Sequence, residues 1–405
     1  MYTYKLGISA QEHDDFVKHH PQANLLQSAN WAKIKDNWGN ERVGFYQDGK
    51  LVASASILIR PLPLGMSMFY IPRGPVMDYT DQALLTFVFD NLKKIAKQKR
   101  ALFIKFDPFL LLKQYKIGQK AEENLDTLKT LEQLLSLNIK WSGRTMEIAD
   151  SIQPRFQANV YTASHLEELF PKHTRRLMKD ARTRGVTTRR GTLSDVNAFS
   201  QVVALTETRK GVALRNHDYF HKMMSIYGED AYLHLATVHL TQRLKEYKNQ
   251  LAQIQTDLEQ TAPNQKKRLT KLTQQKTSIQ KYIQEFEQFV VKYPQEELVV
   301  AGILSIRFGS TMEMLYAGMN DDFKKFYPQY SLYPKVFEDA FQDGISWSNM
   351  GGVEGSLDDG LTKFKSNFNP MIEEYVGEFN LPTSFLYHLS NYAYTLRKKL
   401  RSKKH

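Results

Sequence analysis

Five strings between residues 298 and 379 decide the fold: LVVAGILSIRF (298–308), TMEMLYAG (311–318), YSLYPKVFEDAFQDG (330–344), MGGVEG (350–355) and LTKFKSNFNP (361–370). The first two strings are rich in β-branched and aromatic residues, and the Gly309-Ser310 pair between them is typical of a hairpin turn. The third string has the length and composition of a helix, and the fourth is a short strand that ends in glycines. A hairpin followed by a crossover helix and one more strand is an α/β unit.

The first hundred residues repeat this order. The strings are RVGFYQ (42–47), KLVASASILIR (50–60), MSMFYIPRGPVMD (66–78), DQALLTFVFDNLKKIAKQK (81–99) and ALFIKFDP (101–108). Asp48-Gly49, between the first two, is again a hairpin signal. The chain therefore predicts a duplicated α/β (α+β) domain, with one unit over residues 1–150 and the other over residues 151–240 and 293–385.

Residues 241–292 are of a different kind, because they are polar and contain no glycine. Apolar residues recur there at spacings of three and four: Leu244, Tyr247, Leu251, Ile254 and Leu258, then Leu272, Ile279, Ile283, Phe286 and Val290, if the spacing in the second arm is carried through polar Lys276. Such a stripe predicts an antiparallel coiled-coil hairpin inserted into the second unit, with its turn at residues 261–265.

The composition bounds the class of protein. The 405 residues are 42% hydrophobic and 12% aromatic, which is enough to build folded cores. The formal charge of +12 predicts an anionic partner such as nucleic acid, a phosphate-bearing substrate or an acidic membrane face, although a basic protein without such a partner carries the same charge. The chain has no cysteine, which excludes disulfides, thiolate metal sites and a cysteine nucleophile.

The chain shows no sign of membrane insertion. The N-terminus lacks the apolar region of a signal peptide, and no run of about 18 apolar residues occurs. We therefore expect a cytoplasmic protein in peripheral contact with the inner membrane face. A basic helix is predicted over residues 386–405, and it fits either an interfacial membrane anchor or a helix packed on the body whose charge complements its own dipole.

Two positions in the first unit are candidates for binding or catalysis. Lys35 follows Trp31 and precedes Trp38, which fits a phosphate clamp or, alternatively, core tryptophans beside a solvated lysine. Asp107 ends an apolar strand just before Pro108. Acids at that rim of an α/β sheet often bind or catalyse, but an Asp-Pro turn is the simpler interpretation.

The densest positive charge lies in residues 171–191, which contain eight Lys and Arg residues and a single acid, Asp180. So one-sided a run indicates contact with a polyanion, or else a basic surface helix. The candidates for contact with a polyanion or phosphate are Arg175, Arg176, Lys179 and Arg182. The tip of the helical hairpin, which is also basic, is the other candidate surface.

The second unit has its own candidate residues. Arg215 and Tyr219 are four apart and share a face if that turn is helical. Gly351-Gly352 ends a strand where glycines let a ligand approach the backbone. Beyond it, Lys365 beside Phe364 is able to donate to a developing oxyanion, although most such lysines are surface residues.

The two-unit order and a set of local strings together resemble the Fem-type (FemABX) peptidyltransferases, most closely the FemX and MurM branch. The strings are WAKIK (31–35), FIKFDP (103–108), IQPR (152–155), LYAG (315–318), MGGVEG (350–355), FK (364–365) and YVGEF (375–379). The resemblance covers nearly the whole chain. It implies tandem GNAT-like acyltransferase domains with an inserted helical hairpin.

The resemblance also implies a reaction. An amino acid, Ala or Ser, is transferred from an aminoacyl-tRNA to the stem-peptide lysine amine of lipid II or a muramoyl-pentapeptide precursor, which starts the peptidoglycan interpeptide bridge. Neither a cofactor nor a metal is expected. A tRNA ester is already activated, so the enzyme has to align two substrates, remove a proton and stabilise an oxyanion.

Matched by motif, the resemblance assigns roles to seven residues. Substrate binding falls on Lys35, Arg215, Tyr219 and Tyr316. Catalysis falls on Lys365, Phe364 and Asp107, with Lys365 as the candidate electrophile and Asp107 as the candidate base. Some members have a threonine where this chain has Ala213, and this departure favours lipid II over the soluble nucleotide precursor.

Two other functions fit parts of the sequence. One is an acetyl-CoA-dependent N-acyltransferase, but its (Q/R)-x-x-G-x-(G/A) turn has only a poor match at residues 208–213, which begin with threonine and follow a helix. The other is a basic coiled-coil protein without enzymatic activity that binds RNA or membrane. An assay for catalytic turnover distinguishes this binding protein from the transferase.

Overall fold

The computed structural model describes residues 1–210, 215–387 and 392. Within them the strands are β1 (Tyr2–Leu6), β2 (Gly39–Gln47), β3 (Lys50–Leu62), β4 (Met66–Arg73), β5 (Val76–Met77), β6 (Ala101–Pro108), β7 (Leu111–Lys116), β8 (Lys140–Trp141), β9 (Phe156–Tyr161), β10 (Val186–Arg190), β11 (Ala231–Val238), β12 (Leu298–Phe308), β13 (Thr311–Met319), β14 (Trp347–Val353), β15 (Met371–Tyr375) and β16 (Phe379–Pro382). The α-helices are α1 (Ala10–Lys18), α2 (Ala29–Ile34), α3 (Gln82–Gln98), α4 (Leu125–Ser136), α5 (Lys172–Thr183), α6 (Val196–Lys210), α7 (His217–Tyr227), α8 (Leu240–Gln260), α9 (Lys266–Lys292), α10 (Pro328–Gln342) and α11 (Gly360–Ser366).

The first sheet has the strand order β1-β2-β3-β4-β6-β16-β8, with β5 paired to β3. β2 and β3 form the hairpin predicted at Asp48-Gly49, where both residues have positive φ. β4 and β6 are parallel, and α3 crosses between them. Asp81 caps α3 by accepting from the Leu84 N–H, and the helix buries its apolar stripe on the sheet.

The second sheet has the order β10-β11-β12-β13-β14-β9-β15-β7. β12 and β13 form the hairpin predicted at Gly309-Ser310, and α10 connects β13 to the parallel strand β14. The buried residues Val336, Phe337 and Ala340 pack α10 against this sheet. The predicted mixed α/β class is confirmed.

The parallel pairs of the two sheets differ in how far they remain paired. In the first sheet, β4 and β6 pair from Ser67 with Ala101 to Arg73 with Pro108. In the second sheet, β13 and β14 pair only over residues 311–313 and 347–349, and the strands then separate. A fork therefore opens in the second sheet.

Each half of the chain gives one strand to the other sheet. β7 lies in the predicted first unit but pairs with β15 in the second sheet. β16 lies in the predicted second unit but pairs with β6 and β8 in the first sheet. The domain boundaries at residues 150 and 385 remain a prediction, and they do not coincide with the division between the sheets.

The inserted helical hairpin predicted over residues 241–292 is confirmed as α8 and α9. The Tyr247 ring stacks on Tyr282 at 5.3 Å and meets Phe286 edge-on at 5.1 Å. Farther from the body, Ile254 and Ile279 border one groove between the helices, as antiparallel packing requires. Phe286 is fully buried and joins the base of the hairpin to the core of the second sheet.

The predicted C-terminal helix lies outside the described residues, except for Leu386, Tyr387 and Tyr392. Ala213 also lies outside them. Among the helices that are described, none is both long enough and apolar enough to cross a bilayer.

Candidate active site

The fork between β13 and β14 opens into a cleft of about 630 Å³. Both strands are irregular just beyond their paired segment. The register of β13 against β12 shifts at Leu315, and the register of β14 against β9 shifts between Asn349 and Gly352. These bulges bend the strands apart. The cleft is lined by Thr206, Met314, Leu315, Ala317, Gly318, Met319, Gln329, Tyr333, Met350, Gly360, Leu361, Phe364 and Lys365.

The predicted catalytic pair, Phe364 and Lys365, lies on α11 at one wall of this cleft. Asp359 caps α11 by accepting from the N–H groups of Leu361 and Thr362. Lys365 is only 5% exposed, and its Nζ donates to the Gly352 carbonyl at 2.7 Å. The ammonium group is therefore held between the helix and the end of β14.

Phe364 fixes this helix through an aromatic cluster. Its ring meets Tyr333 at 5.3 Å, Phe368 at 5.7 Å and Tyr330 at 6.1 Å, each edge-on. Tyr330 and Tyr333 belong to α10, the helix that connects the two forked strands. Edge-on aromatic contacts are directional, so they set the position of α11 relative to the cleft.

The four predicted substrate-binding residues form one cluster, which we call the cation–tyrosine cluster: Lys35, Arg215, Tyr219 and Tyr316. Arg215 Cζ lies 4.9 Å from the centre of the Tyr219 ring, and the Tyr316 hydroxyl donates to the Tyr219 hydroxyl at 3.3 Å. Lys35 Nζ lies 4.8 Å from the centre of the Trp31 ring. Burial and the nearby Arg215 charge lower the pKa of Lys35 to about 8.

Strand β13 connects the cluster to the cleft. Leu315 and Ala317 line the cleft, whereas Tyr316 between them belongs to the cation–tyrosine cluster. Successive side chains of a strand point to opposite faces, and the bulge at Leu315 perturbs this alternation locally. An anion held by the cluster and an acyl group in the cleft would therefore lie beside the same strand.

Asp107 is buried near the end of β6. Its carboxylate accepts from the Tyr70 hydroxyl at 2.7 Å and from the Arg73 backbone N–H at 2.6 Å. Burial raises the pKa of Asp107 to about 6, although the Arg73 charge opposes the shift. Asp107 is not among the described residues that line the cleft, whereas Lys365 is.

The basic run folds into α5 and β10 and divides into two groups. Arg175, Arg176, Lys179 and Arg182 are exposed on α5, which buries its other face. The later cations are engaged within the fold: Arg184 with Glu285, Arg189 with Asp195 and Glu297, and Arg190 over the Tyr232 ring. The four predicted contact residues are thus exposed on α5, and one of them, Arg182, also lies 3.9 Å from Glu167 Oε2.

α5 is attached directly to the helix that carries Lys365. The Thr174 hydroxyl of α5 donates to the Asn367 carbonyl at 2.8 Å, and Asn367 follows α11. Phe170, just before α5, meets Phe368 edge-on at 5.8 Å. The exposed cations therefore lie on an element that adjoins the cleft.

Sequence reasoning missed two polar residues at the fork, Glu313 and Asn349. Asn349 Nδ2 donates to Glu313 Oε2 at 2.7 Å, and burial raises the pKa of Glu313 to about 7. An acid inside the otherwise apolar string TMEMLYAG was the available signal. Across the described residues, no group of three or more His, Asp or Glu side chains is arranged to hold a metal ion.

The cleft thus lies between separating parallel strands, with a lysine on its wall and a cluster of two cations and two tyrosines beside the same strand. The chain belongs to the FemAB family, whose family model matches residues 8–395. The lipid II:glycine glycyltransferases of Staphylococcus haemolyticus (strain JCSC1435) and Staphylococcus aureus are each 28% identical to it, over 93% of this chain and 92% of theirs.

A crystal structure of FemX is similar over 96% of this chain and 99% of its own, with a TM-score of 0.77 and 26% identity. These matches confirm the predicted family and the predicted enzyme class, an aminoacyltransferase. The prediction of a basic coiled-coil protein without activity is not supported.

Proposed function

We propose that the protein transfers an amino acid from an aminoacyl-tRNA to the side-chain amine of the stem-peptide lysine of lipid II, which starts an interpeptide bridge. The observation that carries the proposal is the pairing of the β13–β14 cleft with the cation–tyrosine cluster along one strand. Relatives that span the same length are named as lipid II:glycine glycyltransferases. This likeness favours lipid II as the acceptor.

The cation–tyrosine cluster is suited to the pyrophosphate of the acceptor. Lys35 and Arg215 supply two positive charges, and arginine is able to donate to two phosphate oxygens at once. Tyr219 and Tyr316 add hydroxyl groups beside them. We propose that this cluster holds the pyrophosphate while the stem peptide extends to the fork.

The cleft is suited to the aminoacyl end of the tRNA. The lysine amine attacks the ester carbonyl carbon, the bond to the ribose oxygen breaks, and the proton lost by the amine is finally carried by that oxygen. Lys365 is able to stabilise the negative charge that develops on the carbonyl oxygen, because its ammonium group is already fixed by the Gly352 carbonyl. Phe364 keeps α11 in position for this step.

The sequence-based prediction makes Asp107 the candidate base, and we propose a different role for it. Both of its oxygens accept hydrogen bonds from the protein, and it lines no part of the cleft described above. We propose that Asp107 fixes the end of β4 through the Arg73 N–H. The ribose hydroxyl next to the ester is then the nearest group of the substrate itself that can pass the proton.

The tRNA is proposed to lie on α5. Arg175, Arg176, Lys179 and Arg182 form an exposed row of positive charge on a helix that adjoins α11. Phosphate contacts of this kind need no base recognition and position the nucleic acid by charge. A tRNA on this row would have its acceptor end near the cleft.

Peripheral membrane contact is proposed at one end of the first sheet. Leu64 in the β3–β4 turn is 84% exposed, and Phe385 is 90% exposed. Thr383, two residues before Phe385, donates to the Ala101 carbonyl, and Ala101 is paired with Ser67 near that turn. Exposed apolar side chains on a protein of charge +12 fit an anionic membrane surface. Co-sedimentation with anionic and with zwitterionic vesicles tests this contact. Equal depletion of the protein from the supernatant by both kinds of vesicle would count against it.

The transferred amino acid is proposed to be alanine or serine. The named relatives use glycine, so glycine is the competing choice. The test incubates the protein with lipid II and separate pools of tRNA charged with alanine, serine or glycine, with acetyl-CoA in a further reaction. Mass spectrometry of lipid II names the residue added. Addition of glycine alone would refute the specificity, and reaction only with acetyl-CoA would refute the function.

A further inference from the structure

Asn349 is the last residue of β14 that pairs with β13, and its side chain makes hydrogen bonds at the point where the backbone pairing of these two strands ends. Its Oδ1 accepts from the Gly351 N–H at 2.7 Å, and its Nδ2 donates to Glu313 on β13 and to Gln157 on β9. The amide thus uses both its acceptor and its donor side, and it bridges three strands at the point where β13 and β14 part.

The bond to Gly351 shapes the turn that holds Lys365. Gly351 has φ of +86°, a left-handed conformation that strongly favours glycine. Gly352 is packed so closely on Pro154 that an added Cβ would lie 2.4 Å from the proline ring. The turn is therefore fixed from both sides, and the Gly352 carbonyl points to Lys365 Nζ at 2.7 Å.

Glu313 sets the orientation of the Asn349 amide. The Glu313 carboxylate accepts from Asn349 Nδ2 at 2.7 Å through one oxygen and from Asn24 Nδ2 at 3.2 Å through the other. A carboxylate only accepts hydrogen bonds, so it faces the amide nitrogen of Asn349 and leaves the amide oxygen for Gly351. Both residues are buried, at 9% and 2% exposure.

We propose that Glu313 and Asn349 are positioning residues for the transfer reaction, which hold the Gly351-Gly352 turn so that its carbonyl keeps Lys365 at the cleft. The proposal rests on the proposed function, because it assumes that Lys365 takes part in transfer. Neither residue touches the cleft itself among its described lining, so the effect passes through the turn.

A buried network is able to stabilise the fold without positioning anything, and the chain offers a matched control for that possibility. Asn159 lies directly opposite Asn349 on β9, is fully buried, and donates from Nδ2 to Glu373 at 2.7 Å. It has the same residue type and the same kind of carboxylate partner as Asn349, but it makes no bond to the turn at Gly351.

The experiment compares Asn349→Ala, Glu313→Gln and Asn159→Ala with the unaltered protein at pH 8. Two kinds of measurement are made. Steady-state kinetics give kcat and KM for lipid II and charged tRNA. Peptide mass spectrometry gives the rate at which an amine-acylating reagent modifies Lys365. Thermal unfolding shows whether each variant is folded. Glu313→Gln keeps the volume of the side chain and covers the case in which Asn349→Ala does not fold.

We expect Asn349→Ala to lower kcat by about 10- to 100-fold with KM changed less than about threefold, because misplacing a catalytic group affects the transition state more than binding. Lys365 should be acylated several times faster once its turn is released. Glu313→Gln should also lower kcat and speed the acylation of Lys365, but by smaller factors than Asn349→Ala. Asn159→Ala should lower the unfolding temperature without changing kcat or the rate of Lys365 acylation.

Equal losses of kcat in Asn349→Ala and Asn159→Ala, or an unchanged rate of Lys365 acylation, would overturn the proposal. The acylation measurement needs no substrate. Failure of the unaltered protein to transfer any amino acid would therefore refute the proposed function separately, while the labelling still tests whether the fork holds Lys365.

Discussion

The affinity of the protein for its acceptor should depend on pH through Lys35. Burial and the Arg215 charge lower the pKa of this lysine from 10.5 to about 8, so its ammonium form begins to be lost just above neutrality. The ammonium form is the one that binds phosphate. If the neutral form does not bind, the dissociation constant for lipid II rises about tenfold between pH 7 and pH 9.

Binding weakens as the pH rises because the pKa of Lys35 is lowered into this range. Well below pH 8 Lys35 is charged and the affinity is flat, and well above pH 8 each further pH unit weakens binding by a factor of about ten. Lys35→Arg keeps its charge throughout this range, so its affinity should not change with pH. The pyrophosphate diester of the acceptor does not titrate near these pH values.

The assay is equilibrium binding of a short-chain lipid II without tRNA, at pH 7, 8 and 9. Lys33→Ala is the matched control, because Lys33 lies on α2 two residues before Lys35 but is exposed and donates to Asn30. It should reproduce the unaltered curve. A dissociation constant that does not change with pH in the unaltered protein, or a Lys35→Arg variant that keeps the tenfold rise, would refute the assignment.

Two further predictions test the other parts of the site. Replacing Arg175, Arg176, Lys179 and Arg182 together by serine should weaken tRNA binding. The slope of log affinity against log salt concentration should fall by about three, because each lost phosphate contact removes somewhat less than one unit of that slope. Filter binding from about 50 to 300 mM salt measures the slope, and an unchanged slope argues against α5 as the tRNA surface. Asp107→Asn should retain kcat within about tenfold, because the Asp107 carboxylate is engaged by Tyr70 and Arg73. If Asp107 were the general base, kcat would fall by about 100-fold or more. Steady-state kinetics distinguish the two roles.

The order of elements was predictable because the signals are local. The hairpin turns at Asp48-Gly49 and Gly309-Ser310 and the apolar stripe of α3 each depend on neighbouring residues, and all appear in the structure. The insertion was predictable for the same reason, since its spacing of three and four runs through both arms once polar Lys276 is counted in the second arm. These features do not require knowledge of which strands pair.

The exchange of β7 and β16 between the sheets was not predictable from one sequence. β16 is only four residues long and pairs with β6, almost 280 positions earlier in the chain. Strand pairing over such a separation is decided by the tertiary packing of both sheets and has no local signature. The predicted domain boundaries at residues 150 and 385 therefore did not take the exchange of β7 and β16 into account.

The candidate site was predictable where a motif supplied the residues. The cation–tyrosine cluster gathers Lys35, Arg215, Tyr219 and Tyr316 from three distant segments, and only the family resemblance could connect them before the structure did. Glu313 and Asn349 carried no motif, because their importance comes from the separation of β13 and β14. Asp107 was selected for its position at a strand end, and its hydrogen bonds are visible only in the fold.

The most direct test of the central claim is a single-turnover reaction in which the protein in excess meets lipid II and a charged tRNA, with Lys365→Met as the comparison. Transfer in the unaltered protein should add one amino acid to the lysine side chain of lipid II, localised by fragment ions, and RNase pretreatment should abolish it. Lys365→Met should slow this transfer by about 100- to 1,000-fold with unchanged affinity for lipid II. Transfer at the unaltered rate in Lys365→Met, or addition at any other amine, would contradict the account.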